Sequence, residues 1–165
     1  MTTPDDALAQ AAAAGDREAF ALLLQRHYDR LFRLAFRLMG NQADAEDLTQ
    51  DICLALPAKL ASYRSEAKFT TWLYRVAINA AHDRRRRMAS QGRATDGWGD
   101  WETNRRQANS EEAERVDWLM AAMGQLKPDL RDTATLILAE DLTQAEAAEV
   151  LGVPAGTIAW RMSEV

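Results

Sequence analysis

The sequence has little of what disulfide-bonded, metal-dependent or membrane proteins use. It has one cysteine, Cys53, and two histidines, His27 and His82, among 165 residues. One cysteine excludes a disulfide framework, and a zinc site would need carboxylates in most of its positions. No segment approaches the roughly 18 consecutive apolar residues of a membrane-spanning helix, and MTTPDDALAQ has aspartates where a secretory signal has bases. We therefore expect a cytoplasmic protein with no metal, no cofactor and no direct membrane insertion.

Motifs for enzyme chemistry are also lacking. There is no glycine-rich phosphate loop, no nucleophile motif and no metal triad. A hydrophobic share of 47% and a charged share of 27% are typical of a globular protein. The length suits one medium domain or two small ones. The composition therefore favours a folded binding protein that is not an enzyme.

Charge is strongly segregated along the chain, although the net charge is only −5. Residues 41–56 carry four acids and no base, and residues 129–149 carry six acids and one base. Residues 64–93 carry eight bases and two acids. Such blocks indicate several partners on different faces of the protein. Seventeen of the twenty bases are arginine, which favours phosphate contacts, although a GC-rich genome gives the same bias.

Hydrophobic periodicity predicts helices almost everywhere and no strand. The glycine-containing stretch at 89–112 has few aliphatic residues and no sustained period, which is typical of a flexible linker. We therefore predict an all-α protein with a helical domain at 1–88 and a second one at 113–165. The predicted helices cover 16–39, 41–57, 71–88 and 113–123, and a further helix begins near Pro128.

A helix-turn-helix pattern lies in residues 142–162. Thr143 and Glu146 form a capping box at the start of a short helix. Ala148, Gly152 and Ile158 then follow at the spacing that allows two helices to cross closely around a tight turn. The alternative is a plain helical hairpin without a DNA-binding role.

Two polar stripes suggest binding surfaces. Arg75, Asn79 and Arg86 share one face of the third predicted helix, with aromatic residues interleaved, and this combination suits single-stranded DNA. The alternative is a solvated helix end whose arginines complement the helix dipole. On the second predicted helix an acidic stripe borders apolar residues. This pattern fits a protein interface and a solvated acidic face equally well.

Three segments together resemble an RNA polymerase sigma factor of the extracytoplasmic-function (ECF) type, in the sigma-70 family. They are DREAFALLLQRHYDRLFRLAFRLMGNQADAEDLTQDICLAL, FTTWLYRVAINAAHDRRRR and LTQAEAAEVLGVPAGTI. The first two resemble sigma region 2, which forms a helical bundle, and the third resembles the helix-turn-helix of sigma region 4. The resemblance covers about three quarters of the chain.

The resemblance implies three binding sites and no catalytic residue. Residues that would dock on the β′ clamp helices of core RNA polymerase are Asp44, Asp47, Leu48, Gln50 and Asp51. Residues that would hold the melted −10 element are Ser65, Lys68, Phe69, Thr71, Arg75, Asn79, Asp83 and Arg86. Residues that would contact the −35 element are Thr157, Trp160 and Arg161. The family is commonly regulated by an anti-sigma factor, which is implied as a further partner.

The second helix of the helix-turn-helix departs from the family pattern. Ala159 and Trp160 stand where the family has a basic residue and a small polar residue, and Glu164 stands where a basic residue is usual. A glutamate facing phosphate weakens DNA binding. Either the −35 contact is unusual, or the chain is truncated inside a longer basic helix. Trp98 and Trp101 in the predicted linker have no assigned role.

Two other functions remain open at this point. A stand-alone helix-turn-helix regulator would bind operator DNA without polymerase, typically as a dimer. A helical sequestration module would bind another regulator and never contact DNA. The paired region 2 segments disfavour the regulator, and the basic segment disfavours the module.

Overall fold

The described parts of the chain are built from helices. A computed structural model describes residues 2–92 and 110–165, and these contain no strand, which confirms the all-α prediction. The helices are α1 Asp5–Ala13, α2 Arg17–Met39, α3 Gln42–Leu60, α4 Phe69–Ser90, α5 Ser110–Gln125, α6 Pro128–Ala134, a π-helix Thr135–Ala139, α7 Gln144–Leu151 and α8 Ala155–Glu164. None of them is long and apolar enough to cross a membrane.

Local capping explains where the predicted helices begin and end. Asp16 accepts hydrogen bonds from the backbone N–H groups of Glu18 and Ala19 at the start of α2. Gly40 ends α2 in the left-handed conformation with a φ of 86°. The Asn41 side chain then caps α3 by accepting from the Asp44 amide. These signals are local, so the sequence alone locates the α2–α3 junction.

One helix extends past its predicted end, and another was not predicted at all. We expected the second helix to end near Pro57, but α3 continues to Leu60. Leu56 and Leu60 are both buried on the core face, so burial of a further turn outweighs the backbone hydrogen bond that proline cannot donate. Helix α1 was not predicted, because it is short and only Leu8 and Ala9 bury an apolar face.

The core lies between α2, α3 and α4, with α1 packed across them. Its large side chains are almost completely excluded from solvent. Burial of each leucine or isoleucine contributes about 1.5–3 kcal/mol to folding. Because this packing consumes one face of α3 and α4, their polar faces point outward. The most buried large residues of these helices are Leu31, Leu34, Leu38, Leu48, Ile52, Leu60 and Ile78.

The C-terminal helices pack onto this bundle. Helix α7 lies against α4, and the π-helix contacts α2. Buried residues of α7 and α8, such as Val150 and Ile158, belong to the same apolar cluster as the core of α2–α4. The division into domains at 1–88 and 113–165 stays a prediction. Most of the linker, with Trp98 and Trp101, lies outside the described residues.

Candidate functional site

An acidic stripe runs along the outer face of α3. The Asp47 side chain is 57% exposed, Asp51 is partly exposed and Gln50 is exposed. Asp44 is more enclosed, because its carboxylate accepts a hydrogen bond of 2.8 Å from the Asn41 side chain. Leu48 is a correction to the predicted set, since it is 0% exposed in the core and cannot contact a partner.

Arg84 of α4 holds this stripe in place. Its guanidinium nitrogens lie 2.9 Å from Asp47 Oδ2 and 3.2 Å from Asp51 Oδ2. The arginine side chain is largely buried, so these ion pairs are shielded better than ordinary surface pairs. Two carboxylates one helical turn apart are therefore held by one cation, with oxygens still open to solvent.

Leu54 extends the stripe with an apolar contact surface. It follows Asp47 and Asp51 on successive turns of α3 and is 80% exposed. The predicted set omitted it, although an aliphatic residue one turn after an acidic pair was a readable signal. An exposed leucine beside ordered carboxylates is a combination suited to binding another protein.

The outer face of α4 presents part of the predicted DNA-binding set. Asn79, Asp83 and Arg86 are exposed, and Asp83 and Arg86 form an ion pair with each other. An open cleft beside them is lined by Arg87, Ser90 and Gln91 at the end of the helix. This surface offers amide and guanidinium groups to a ligand in solution.

Two residues of the predicted DNA-binding set are buried instead. Phe69 is 2% exposed and Thr71 is also buried. Phe69 packs on His27 and Trp72, with ring centroids 5.4 Å and 5.7 Å apart. These rings fill the junction between α2 and α4, so Phe69 is a core residue and not a surface on which a base could stack.

The loop between α3 and α4, residues 61–68, presents Ser65 and Lys68 to solvent. Ser65 has a φ of 59°, a conformation that is uncommon for residues other than glycine. Such a conformation is maintained by surrounding contacts. The loop therefore has a defined backbone shape at Ser65.

A buried carboxylate joins the C-terminal helices to α4. Asp132 of α6 is 1% exposed, and its oxygens lie 2.7 and 2.8 Å from two nitrogens of Arg85 and 2.9 Å from His82 Nε2. Burial alone raises the pKa of the Asp132 carboxyl, but the hydrogen bonds from His82 and Arg85 outweigh it and lower the pKa. The carboxylate is therefore charged and paired.

A second carboxylate, Glu140, reaches both α2 and α4. It accepts a hydrogen bond of 2.8 Å from the Tyr74 hydroxyl and lies 3.4 Å from an Arg37 nitrogen. Burial and the hydrogen bond to Glu140 raise the pKa of Tyr74, so the hydroxyl remains a donor at neutral pH. Nearby, Arg75 donates to the Glu149 carbonyl of α7 at 2.8 Å.

These contacts change the interpretation of the charge blocks. We inferred several external partners from segments of opposite sign, but within 129–149 Asp132 and Glu149 pair with arginines of α4 and Glu140 pairs with Arg37 of α2. The acids of 41–56 likewise pair with Arg84 and Arg87. Part of the segregated charge is therefore paired within the chain, and Arg75 contacts α7 although its side chain is still 44% exposed.

The helix-turn-helix geometry matches the spacing predicted from the sequence. Thr143 and Glu146 form both hydrogen bonds of the capping box. Gly152 ends α7 in the left-handed conformation with a φ of 68°. Ala148 and Ile158 are buried where α7 and α8 cross. These local predictions are confirmed.

The predicted contact residues of α8 differ in their availability. Trp160 is 62% exposed, and Thr157 is half-buried. Arg161 turns away from solvent, with one nitrogen 3.4 Å from Thr133 Oγ1 and another 3.9 Å from Asp129 of α6. Trp160 is thus the residue of this set that α8 displays fully.

A comparison with protein families matches residues 23–91 to the model of sigma-70 region 2. The chain is 35% identical to ECF RNA polymerase sigma factor SigE of Mycolicibacterium smegmatis, over 91% of this chain and 61% of that relative's length. It is 33% identical to ECF RNA polymerase sigma factor SigM of Mycobacterium tuberculosis, over 93% of this chain and 76% of the relative.

The fold agrees with a sigma factor of known structure. CnrH, solved in complex with the cytosolic domain of CnrY, has a TM-score of 0.72 and covers 97% of this chain and 90% of its own, at 24% identity. The chain belongs to the ECF family of RNA polymerase sigma factors, which direct transcription initiation.

Proposed function

We propose that the chain divides promoter recognition among three surfaces. Helix α3 docks on the β′ clamp helices of core RNA polymerase, the 61–68 loop and α4 hold the melted −10 element, and α7–α8 contact the −35 element. Each surface binds and none performs chemistry, so the chain acts as a specificity subunit and not as an enzyme.

The ordered acidic stripe with its exposed leucine is the observation that carries the docking assignment. Arg84 already fixes the side chains of Asp47 and Asp51 in the free protein. Less side-chain conformational entropy is therefore lost when a partner binds. Leu54 supplies apolar area beside them. A partner surface that is basic at its edge and apolar at its centre would fit this stripe.

Only the exposed residues of the predicted −10 set are proposed to contact DNA. Ser65 and Lys68 on the loop and Asn79 and Arg86 on α4 are open to solvent, whereas Phe69 and Thr71 support them from the core. Arginine and lysine neutralise phosphates, and the amide of an asparagine can hydrogen-bond an unpaired base. Asp83 then orients Arg86 through their ion pair.

The −35 assignment rests on α8. Trp160 and Thr157 would meet the DNA, and Arg161 would join them after leaving its contacts with α6. Because Arg75 of the −10 set donates a hydrogen bond to the Glu149 carbonyl of α7, the C-terminal helices must move off α4 before the whole of that set is free to bind DNA.

An anti-sigma factor is a further proposed partner. CnrH, which shares the fold, was solved bound to the cytosolic domain of another protein. A regulator that covered Asp47 and Leu54 would compete directly with polymerase, because both would need the same exposed stripe.

Co-elution of the chain with bacterial core RNA polymerase tests the docking surface. Leu54→Glu places a charge in the apolar part of the stripe, and Asp47→Ala removes a carboxylate. Each should weaken polymerase binding by at least about tenfold, which corresponds to about 1.4 kcal/mol. We choose alanine because an arginine at position 47 would lie against Arg84 and disturb the fold.

Matched controls separate docking from folding. Ala21→Glu adds a carboxylate at an exposed position of α2, and Glu46→Ala removes an exposed carboxylate from α3 itself. Both should bind polymerase as the wild type does. Full binding by a folded Leu54→Glu variant, or an equal loss in the controls, would overturn the docking assignment. No binding by the wild type would overturn the proposed function.

A further inference from the structure

Helix α1 lies outside the segment that matches sigma-70 region 2, yet it is tied firmly to the bundle. Leu8 and Ala9 are buried in the core. The Asp5 carboxylate lies 2.9 Å from His27 Nε2 and 3.1 Å from an Arg26 nitrogen, so α1 is anchored to α2. Its other polar residues point elsewhere, toward the loop between α3 and α4.

Asp6 of α1 caps α4 from a different helix. Its Oδ1 accepts a hydrogen bond of 2.8 Å from the backbone N–H of Phe69, the first residue of α4. Lys68, at the N-cap position, supplies no side-chain bond of its own. A carboxylate here satisfies a free N–H group and interacts favourably with the helix dipole. The same oxygen lies 3.2 Å from the Tyr63 hydroxyl.

Gln10 reaches the centre of the loop from one turn further along α1. Its Nε2 donates a hydrogen bond of 2.9 Å to Ser65 Oγ. Ser65 is the loop residue with a φ of 59°. Gln10 therefore contacts the loop at its least favourable backbone conformation, and Asp6 holds the point where the loop becomes α4.

We propose that α1 is a positioning element for the 61–68 loop, with Asp6 and Gln10 as its positioning residues. Asp6 fixes the C-terminal end of the loop, and Gln10 fixes the orientation of Ser65, so together they set which groups the loop offers to an unpaired base. This inference rests on the proposed function of the loop in −10 recognition. It adds residues that precede the region 2 match and determine base preference without contacting DNA.

The test uses the full chain with core polymerase and two measurements. The first is hydrogen exchange of the Phe69 amide in the free protein. The second is the base preference of the reconstituted holoenzyme when it selects −10 sequences from a random pool of single-stranded DNA. The variants are Asp6→Ala, Asp6→Asn and Gln10→Ala.

Controls of the same chemistry come from α2. Glu18→Ala removes an exposed carboxylate, and Gln25→Ala removes an exposed amide. Neither residue lies in the loop or in α1, so both should leave exchange at Phe69 and base preference unchanged. Asp6→Asn retains a side-chain oxygen that can accept from the Phe69 amide. It should therefore restore most of the exchange protection at Phe69 and most of the base preference that Asp6→Ala loses.

Loss of the capping bond in Asp6→Ala should speed exchange of the Phe69 amide by about fivefold to tenfold. The preference at one or more −10 positions should relax severalfold in Asp6→Ala and Gln10→Ala, while polymerase binding is retained. Faster exchange with an unchanged base preference would overturn the inference, because α1 would then only stabilise the fold. If the wild type selected no sequence, the proposed function would fail, and the exchange data alone would decide whether α1 holds the loop.

Discussion

Removing the charge of Asp132 should release the C-terminal helices from α4. The substitution Asp132→Asn keeps the size of the side chain but turns a carboxylate into an amide. Arg85 and His82 both donate to this carboxylate, and the amide can accept from them only through its single oxygen. The amide nitrogen would face a guanidinium group, which is also a donor.

The expected loss of free energy for packing the C-terminal helices on α4 is large, because the Asp132 carboxylate is buried. Disrupting a buried ion pair by changing one partner typically costs about 3–5 kcal/mol. Arg85 retains its hydrogen bond of 2.8 Å to the Leu38 carbonyl, so we take the lower end of that range. A loss of about 3 kcal/mol changes the ratio of packed to released protein by roughly a hundredfold.

The sign of the pH dependence follows from the lowered pKa of Asp132. Because the folded value lies below the unfolded value of about 3.9, the contact stabilises the packed form fully above that pH. Its contribution is lost as the pH falls through the folded pKa. The difference between the wild type and Asp132→Asn should therefore persist at neutral pH and shrink below about pH 4.

Small-angle X-ray scattering measures the release directly, since the radius of gyration rises when the C-terminal helices leave α4. The wild type should remain compact and Asp132→Asn should expand. Asp129→Asn is the matched control, because it makes the same chemical change on α6 at a side chain that is 74% exposed. An unchanged radius in a folded Asp132→Asn variant would refute the reasoning.

Three further predictions concern α4 and α8. The double substitution Asn79→Ala with Arg86→Ala should reduce promoter opening, measured by permanganate reactivity, more than polymerase binding; equal losses, or a similar defect in Arg17→Ala, would show that this face is misassigned. Tyr74→Phe removes the donor to a buried glutamate and should lower the free energy of unfolding by about 1 kcal/mol in urea titrations, and no change would contradict that role. Ile158→Ala empties a fully buried site and should lower the stability of the helix-turn-helix by about 2–5 kcal/mol, seen as a lower midpoint of thermal unfolding; an unchanged midpoint would refute its place in the core.

The features that could be predicted from the sequence are those that depend on residues adjacent in the chain. The Gly40–Asn41 junction, the Thr143 capping box and the Gly152 turn all follow from a few adjacent side chains, and all are confirmed. Periodicity placed the long helices because each buries an apolar face of several turns. Helix α1 has only two buried residues, so its pattern was too short to predict.

Contacts between distant segments could not be predicted in the same way. Asp132 and Arg85 are 47 positions apart, and no local pattern shows that they meet. For the same reason the resemblance assigned Leu48 and Phe69 to binding surfaces, although both lie in the core. A motif identifies which residues belong to a functional segment, but burial decides which of them can contact a partner.

The four consecutive arginines of α4 show why a charge run is not one feature. Successive residues of a helix point about 100° apart, so the four guanidinium groups must face different surroundings. Arg84 holds the acids of α3, and Arg85 holds Asp132. Arg86 and Arg87 remain mostly exposed beside the open cleft. One run of identical residues thus supports the proposed polymerase surface, the packing of the C-terminal helices and the proposed DNA surface, and substitutions of Arg84, Arg85 and Arg86 should each affect a different one of the three.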